Sequence, residues 1–412
     1  MTMFRILFLV VLVGYSTSAS CFGQTLTTVM NNGDSSNRVD MIFVGDGYQA
    51  SEIASTYSDH VDDTLSAFFN PGIAPFPRYQ NFFNAHRVNV ISNESGADDP
   101  LNNIFVDTAL DATYNTSGID RLLYFNTTKA NTAVNTALSG SGIDIDMRLG
   151  SVNSEKYGGG GGQWAVWAAG NTVALDIAIH EVGHSFANLA DEYYTSGQSW
   201  DGGEPNQVNV TSDPSLGKWD RWLGYDDPDS DIGAIDYYEG ARYHEFGLYR
   251  PSENSMMRSL NRPFDAISRE RFIEEIYLEV DPLDSWLDEN GTYSGDDTLW
   301  VNSVDASVIN VEWFVDGISL GLLGESVSLA SLSLDAGSYS IQATAYDSIL
   351  DHSFSGNSLD WWRLNDTGLL EQSVSWSVIV SVPEPGSRSI LGLIGLAMLS
   401  TRRRKQHASA IA

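Results

Sequence analysis

The segment that most constrains this chain contains two histidines four residues apart, His180 and His184, in a run without proline. Apolar residues recur through this run at helical spacing, at Val173, Ile177, Phe186 and Leu189. We therefore predict an α-helix over residues 172–189. Side chains four positions apart share one face of a helix, so the two imidazoles can reach the same metal ion.

A carboxylate follows the first histidine, at Glu181, and completes the pattern H-E-x-x-H. In this pattern the histidines bind zinc and the glutamate acts as the general base. Zinc lowers the pKa of a bound water from about 15.7 towards about 7, and the carboxylate passes the proton to the leaving amine. The pattern predicts hydrolysis of peptide bonds. The alternative is an amphipathic helix that carries two solvated histidines.

A third protein ligand is expected, because a catalytic zinc site has three protein ligands and one open position. Asp191 and Glu192 follow the second histidine closely. On a straight helix, Asp191 would lie about 10 Å from His184 along the axis, which is too far to bind the same ion. We therefore expect the helix to break near Ala187 and Asn188.

Of the two adjacent acids, we expect Asp191 to be the third zinc ligand. Glu192 is the alternative ligand, or it hydrogen-bonds a ligand histidine or the backbone of the turn. A charged amphipathic helix predicted within residues 263–280 offers a rival to both acids. Glu274 or Glu275 on that helix would be the distant third ligand of a thermolysin-like site.

Three stretches of the chain resemble the IgA-specific metallopeptidase family of secreted zinc endopeptidases. They are the zinc motif with its continuation at 180–194, the segment 38–48 and the segment 249–258. The resemblance extends over residues 37–281. It implies an α+β fold with a metzincin-like zinc-peptidase domain, in which a mixed twisted sheet carries the active-site helix, followed by an immunoglobulin-like module.

Metzincins place a methionine in a tight turn beneath the metal, and the resemblance implies this role for Met256 or Met257. They also turn after the second histidine at a glycine, where this chain has Ala187, and their third ligand returns one residue earlier. Some metzincins follow the methionine turn with a tyrosine that stabilises the transition state. Here the candidates for that role are Tyr193 and Arg258.

The rest of the predicted catalytic domain, residues 25–283, is a mixture of strands and helices. Apolar and alternating runs predict strands at 39–44, 82–91 and 119–125 and a helix at 50–69. Five glycines at 158–162 precede the run 163–168. We expect the run 163–168 to be an edge strand that pairs with the extended substrate.

The composition indicates a folded, strongly acidic protein. Hydrophobic residues make up 42% of the chain and aromatic residues 11%, so a net charge of −32 must be spread over a folded surface. This charge disfavours nucleic acid, and the expected partner is a protein or peptide substrate. The acidic cluster at 226–231 is a candidate calcium site, although it lacks the twelve-residue spacing of an EF-hand.

The pattern changes in residues 284–382, where short alternating runs are separated by turn residues. Strands are predicted at 309–315, 327–334, 339–346 and 374–382. This spacing favours an immunoglobulin-like β-sandwich with Trp313 in its core.

Both ends of the chain carry sorting patterns. Residues 1–24 read as a signal peptide, so we expect a secreted protein; Cys21, the only cysteine, is a candidate for lipidation. Residues 383–412 resemble the PEP-CTERM sorting signal, and their apolar run is about half the length that spans a bilayer. This resemblance implies transient membrane association, processing by an exosortase-type enzyme, and release to the envelope or extracellular matrix.

A second hypothesis is a catalytically inactive envelope or matrix binding protein that keeps a zinc site. The intact glutamate between the two histidines argues against it, because a site that only binds zinc has no need of a general base.

Overall fold

The structure is a computed structural model that describes residues 24–227, 232–350, 360–364 and 368–381. These residues form two compact units, of which the first contains 24–280 and 360–363 and the second contains the remainder. Residues 1–23 of the predicted signal peptide, the sorting tail, and residues 228–231 of the acidic cluster lie outside the described residues. Within the described ranges, no helix is long and apolar enough to cross a membrane.

The first unit is built on a six-stranded mixed sheet. Its strands are β1 Thr25–Met30, β2 Val39–Asp46, β3 Phe83–Asn89, β4 Met147–Val152, β5 Gly159–Gly160 and β6 Ala165–Ala168. Their order is β1-β3-β2-β4-β6-β5; the two outer strands are antiparallel to their neighbours and the four inner strands are parallel. All of β2 is buried, as expected for a central strand covered on both faces.

Four helices belong to this unit: α1 Ser58–Phe68, α2 Thr127–Ala137, α3 Ala174–Ser185 and α4 Ala266–Glu279. Helix α2 shares a hydrophobic core with β2, because Ala130 and Val134 pack in the same cluster as Ile42 and Val44. Helix α3 packs against β4, β5, β6 and α1. The helix that carries the two histidines therefore lies directly on the strands that precede it in the chain.

A second, three-stranded sheet begins just after the zinc motif. It contains β7 Tyr194–Ser199, β8 Tyr238–Ala241 and β9 Tyr243–Arg250, in the order β7-β9-β8. Strand β9 is parallel to β7, and the Tyr243 N–H donates to the Tyr193 carbonyl at 3.0 Å. This pairing brings a distant segment of the chain next to the residues that follow Asp191.

Three predicted strands need correction. Only the start of the run 327–334 is a strand, because strand pairing ends at Ser328 and a 3-10 helix follows at Leu329–Leu332. Residues 119–125 form no strand, because turn hydrogen bonds such as Leu122 N–H to the Ile119 carbonyl bend the segment and leave only isolated bridges. The run predicted as an edge strand contains β6, which lies between β4 and β5. The glycine run itself supplies the outer strand β5, because its lack of side chains allows the backbone to pass close to α3.

The turn after β2 is organised by the buried carboxylate of Asp46. It accepts hydrogen bonds from the backbone N–H groups of Leu110 and Ala112, both at 2.9 Å, and from the hydroxyl groups of Ser92 and Thr108. The Gly-Asp-Gly sequence is therefore used for structure, since the carboxylate holds a neighbouring loop in place.

A short segment from late in the chain completes the first unit. The backbone N–H of Arg363 donates to Glu270 on α4 at 2.7 Å, and its guanidinium lies 4.5 Å from the centre of the Trp222 ring. Nearby, the Asp360 N–H donates to the hydroxyl of Tyr225 at 3.0 Å. Residues 360–363 thus belong to the first unit, although the sequence analysis places them in the second domain.

The second unit consists of two sheets. Its strands are β10 Leu283–Trp286, β11 Tyr293–Ser294, β12 Thr298–Ser303, β13 Ile309–Val315, β14 Ile318–Leu323, β15 Ser326–Ser328, β16 Gly337–Asp347 and β17 Glu371–Val380. One sheet has the order β10-β12-β15 and the other β11-β17-β16-β13-β14. Trp313 is fully buried and stacks on Trp376 with ring centres 5.7 Å apart. The mixed α+β character predicted for the chain is confirmed.

Candidate metal centre

Three side chains converge at the C-terminal end of α3. The Nε2 atoms of His180 and His184 lie 3.1 Å apart, and the Asp191 Oδ1 atom lies 3.1 Å from the first and 3.3 Å from the second. Within the described part of the chain, these three residues are the group of histidine and acidic side chains whose geometry suits a metal ion. The structure thus brings together the three residues that the sequence analysis selected as ligands.

Asp191 reaches the histidines because the helix ends early. Helix α3 stops at Ser185, four residues before the predicted end, and Asn188 adopts a left-handed conformation with φ of +49°. The Leu189 N–H then donates back to the Gly183 carbonyl at 2.9 Å, which closes the turn. Asparagine tolerates this conformation better than most residues, so it can take the place of the glycine that commonly ends a helix. The predicted break is confirmed.

The outer nitrogen of each ring is held by a backbone carbonyl. His180 Nδ1 lies 3.0 Å from the Met256 oxygen, and His184 Nδ1 lies 2.8 Å from the Leu189 oxygen. A carbonyl can only accept, so each Nδ1 must carry the proton and each Nε2 of the neutral ring presents a lone pair. Two such lone pairs and a carboxylate oxygen within 3.3 Å repel one another unless a cation lies between them. The donor set therefore fits a divalent metal.

The charges around this point agree with that conclusion. Burial alone would lower the pKa of His184, but the adjacent Asp191 carboxylate raises it to about 9. Burial alone would raise the pKa of Asp191, but hydrogen bonds to His180 and His184 hold it well below its usual range. Without a metal, a proton is therefore favoured where the three side chains meet, and a bound cation would take its place.

Glu181 lies beside the cluster and is only 7% exposed. Burial raises the pKa of its carboxyl group, and the two histidines oppose that effect. Its oxygens face the glycine run: a Cβ added to Gly159 would lie 3.0 Å from Oε1, and one added to Gly161 would lie 2.9 Å from Oε2. The position suits a general base that must be close to both the metal and a bound peptide.

A cleft of about 550 Å³ opens above these residues. One wall is the glycine run, and the floor is α3 with the turn that follows it. Its lining includes Arg121, Tyr124, Tyr157, Gly159, Gly160, Gly161, Gly162, His180, Glu181, His184, Asp191, Tyr193, Tyr243 and Arg258.

The comparison with protein families agrees with this site. Residues 27–230 match the family model IgA Peptidase M64. The chain has no match among curated proteins. The M64 match supports the IgA-peptidase family and a peptidase that acts on a protein or peptide, and the triad His180, His184 and Asp191 suggests a metal ion.

Glu192 lies within the region that matches the M64 model, and its carboxyl group points away from the three ligand atoms. Its carboxylate accepts hydrogen bonds from Asn209 Nδ2 at 2.9 Å and from the Ser255 hydroxyl at 2.6 Å, and its N–H donates to the Met257 carbonyl. Met256 and Met257 are fully buried, and a Cβ on Gly183 would lie 2.5 Å from the Met257 sulfur. The segment that contains these two methionines thus lies against α3 and is hydrogen-bonded to the residue after Asp191.

The rival glutamates of the thermolysin-like plan are used elsewhere. Glu274 and Glu275 both form ion pairs with Arg271 on α4, the first at 2.5 Å. Neither lines the cleft.

Two cleft residues, Arg121 and Tyr243, gave no signal in the sequence, and both belong to a chain of hydrogen bonds that ends at Asp191. Arg121 Nη2 donates to the Tyr193 hydroxyl at 3.0 Å, Tyr193 donates to the Tyr243 hydroxyl at 3.1 Å, and Tyr243 donates to Asp191 Oδ2 at 2.6 Å. Arg258 also lines the cleft, where its guanidinium donates to the Glu253 carbonyl. Arg121 and Tyr243 lie far from the H-E-x-x-H motif in the chain and follow no motif of their own, so only the fold could reveal them.

Proposed function

We propose that this protein is an exported, metzincin-like zinc endopeptidase. The observation that carries the proposal is the convergence of His180 Nε2, His184 Nε2 and Asp191 Oδ1 beside a buried glutamate in an open cleft. Two imidazoles with one carboxylate are a common ligand set for catalytic zinc, and they leave one position for water.

In this mechanism His180, His184 and Asp191 would hold the zinc ion. Zinc supplies Lewis acidity, which lowers the pKa of water towards about 7. The Glu181 carboxylate accepts the proton of the attacking water, and then donates it to the nitrogen of the departing amine. Burial of Glu181 assists this transfer, because it raises the proton affinity of the carboxylate. Arg258 remains a candidate for stabilising the charge that develops on the substrate carbonyl.

The substrate backbone is proposed to lie along Gly160–Gly162. The polar groups of Gly159 are already used, because its N–H donates to the Arg121 carbonyl and its carbonyl accepts from the Leu123 N–H. The next glycines line the cleft without side chains that would hold an extended peptide away from Glu181. Strand addition at such an edge gives affinity through main-chain hydrogen bonds.

The two ends of the chain and the second unit complete the proposal. Export would depend on the signal peptide at 1–24, and an exosortase-type enzyme would process the tail at 383–412 after transient membrane association. The second unit, with its two sheets and its stacked Trp313 and Trp376, is proposed to be an immunoglobulin-like module that takes no part in catalysis.

Zinc content in two matched variants tests the ligand assignment. Asp191→Asn and Glu192→Gln each replace a carboxyl group by an amide and keep the shape of the side chain. We expect atomic absorption to show that the first loses most of its zinc and the second keeps it, because only Asp191 faces the histidines. Retention of zinc by Asp191→Asn with loss from Glu192→Gln would reject this ligand set.

The role of Glu181 requires a separate variant. Glu181→Gln leaves the three ligands in place, so it should bind zinc normally and lose about 10²–10⁴-fold in kcat on a peptide substrate. Activity within tenfold of wild type would reject the peptidase mechanism and favour a protein that only binds zinc.

A further inference from the structure

We propose that Tyr243 is a positioning residue that makes Asp191 a one-oxygen ligand, and that Tyr193 and Arg121 hold Tyr243 in place. This inference rests on the proposed zinc site. The Asp191 carboxylate has one oxygen, Oδ1, directed at both histidines, and the other, Oδ2, bonded to the Tyr243 hydroxyl at 2.6 Å. While Oδ2 is held in this way, only Oδ1 faces the point where the two Nε2 atoms meet.

The direction of every hydrogen bond in this chain of side chains is fixed by its two ends. An arginine can only donate and an ionised carboxylate can only accept. Arg121 donates to Tyr193, so the Tyr193 proton is free to reach Tyr243, and the Tyr243 proton goes to Asp191. Each phenol has one proton, and both are used within the chain. Tyr243 therefore acts on the ligand and not on the substrate.

The backbone at Tyr243 is fixed by a tight hairpin turn. Arg242 and Tyr243 both have left-handed backbone angles, with φ of +44° and +69°, although neither is glycine. These two residues form the loop between Ala241 and His244, which pair across the β8–β9 hairpin, and a two-residue hairpin loop of this type requires positive φ at both positions. Here the conformation is held by hydrogen bonds from Arg242 N–H to the Asp191 carbonyl and from Tyr243 N–H to the Tyr193 carbonyl.

The same segment of backbone thus fixes both the ligand and the group that orients it. Partners of metal ligands usually contribute about 10–100-fold to metal affinity, because they remove the freedom of the ligand to turn away. The Tyr243 side chain is 48% exposed, so loss of its hydroxyl alone should leave the fold intact. Its effect on the metal can therefore be separated from an effect on folding.

The test compares Tyr243→Phe with Tyr193→Phe in the full-length protein. We expect Tyr243→Phe to weaken zinc binding about 10–100-fold, measured by competition with a chelator, and to change the visible absorption spectrum of the cobalt-substituted protein. Tyr193→Phe should weaken binding less, because Tyr243 keeps its bond to Asp191.

Tyr124→Phe is the matched control. Tyr124 also lines the cleft, but its hydroxyl donates to the Gly161 carbonyl and touches no ligand. Its removal should leave zinc affinity and the cobalt spectrum unchanged. Circular dichroism and the thermal midpoint of the metal-free proteins show whether each variant is folded. If Tyr243→Phe is not folded, Tyr193→Phe still tests the chain of hydrogen bonds that ends at Asp191.

Two results would overturn the inference. One is a zinc affinity in Tyr243→Phe within twofold of wild type with an unchanged cobalt spectrum, and the other is a larger loss in Tyr193→Phe than in Tyr243→Phe. If the wild-type protein itself binds no zinc, the proposed function fails instead, so the two failures can be told apart.

Discussion

The glycine run gives the sharpest prediction about how substrate is bound. A Cβ added to Gly160 would lie 2.5 Å from the Tyr124 ring, whereas carbon atoms in contact are about 3.5–4.0 Å apart. The strand or the ring must therefore move by about 1 Å in Gly160→Ala. A displacement of this size can cost about 100-fold in rate, because the reacting groups lose their alignment. We expect kcat/KM on a fluorogenic peptide to fall by about that factor.

Two further measurements show that the loss arises at the strand. Zinc content should stay at the wild-type level, because the added methyl group meets Tyr124 and none of the three ligands. The control is Gly203→Ala, since a Cβ there has no neighbour within 4 Å, and its activity should not change. The double variant Gly160→Ala/Tyr124→Ala removes the ring that causes the clash and should recover part of the loss.

An unchanged kcat/KM in a folded, zinc-loaded Gly160→Ala protein would refute the reasoning. It would mean that substrate binding does not depend on this strand, and that the glycines serve only to let the backbone pass close to α3. A loss of activity accompanied by loss of zinc would place the defect at the metal site and would equally contradict the argument.

Three predictions concern stability. Asp46→Ala should lower the free energy of unfolding by about 3–5 kcal/mol in urea titrations, because the N–H groups of Leu110 and Ala112 lose their acceptor; a loss below 1 kcal/mol would contradict this. Burial, aided by nearby carboxylates, raises the pKa of Asp146 to about 7, so the folded protein binds this proton more tightly than the unfolded chain does. The contribution of that proton to stability is complete below pH 4 and is lost as the pH rises through about 7. Asp146→Asn should therefore exceed wild type in stability by about 1–2 kcal/mol at pH 8 and match it at pH 4, and an equal gap at both values would exclude this cause. Asn188→Gly should be neutral in thermal unfolding, whereas Asn188→Val should cost about 1–2 kcal/mol, because valine fits a left-handed backbone poorly; equal midpoints would argue against the turn.

The parts of the site that sequence could predict depend on local geometry. His180 and His184 share a helix face because of the helical period, and the axial rise alone required a break before Asp191. The turn was harder to place. Ala187 stands where related turns have glycine, and the structure shows that Asn188 takes the left-handed position one residue later.

The parts that sequence could not predict depend on contacts between distant segments. Tyr243 reaches Asp191 because β9 pairs with β7, and nothing in the local pattern specifies that pairing. The edge strand was assigned to 163–168 because apolar residues indicate strands and glycines indicate loops. In this protein the glycine run forms the outer strand instead. It passes so close to Glu181 and His184 that only glycine fits between the sheet and α3.

The contribution of residues 360–363 to the first unit has a consequence during synthesis. The ribosome makes Val280 about 80 residues before Arg363, which is about 4–16 s of translation. During that interval the Trp222 ring lacks the Arg363 guanidinium, and Glu270 lacks the Arg363 N–H, that they contact in the finished protein. The first unit would thus stay incomplete until residues 360–363 have emerged from the ribosome.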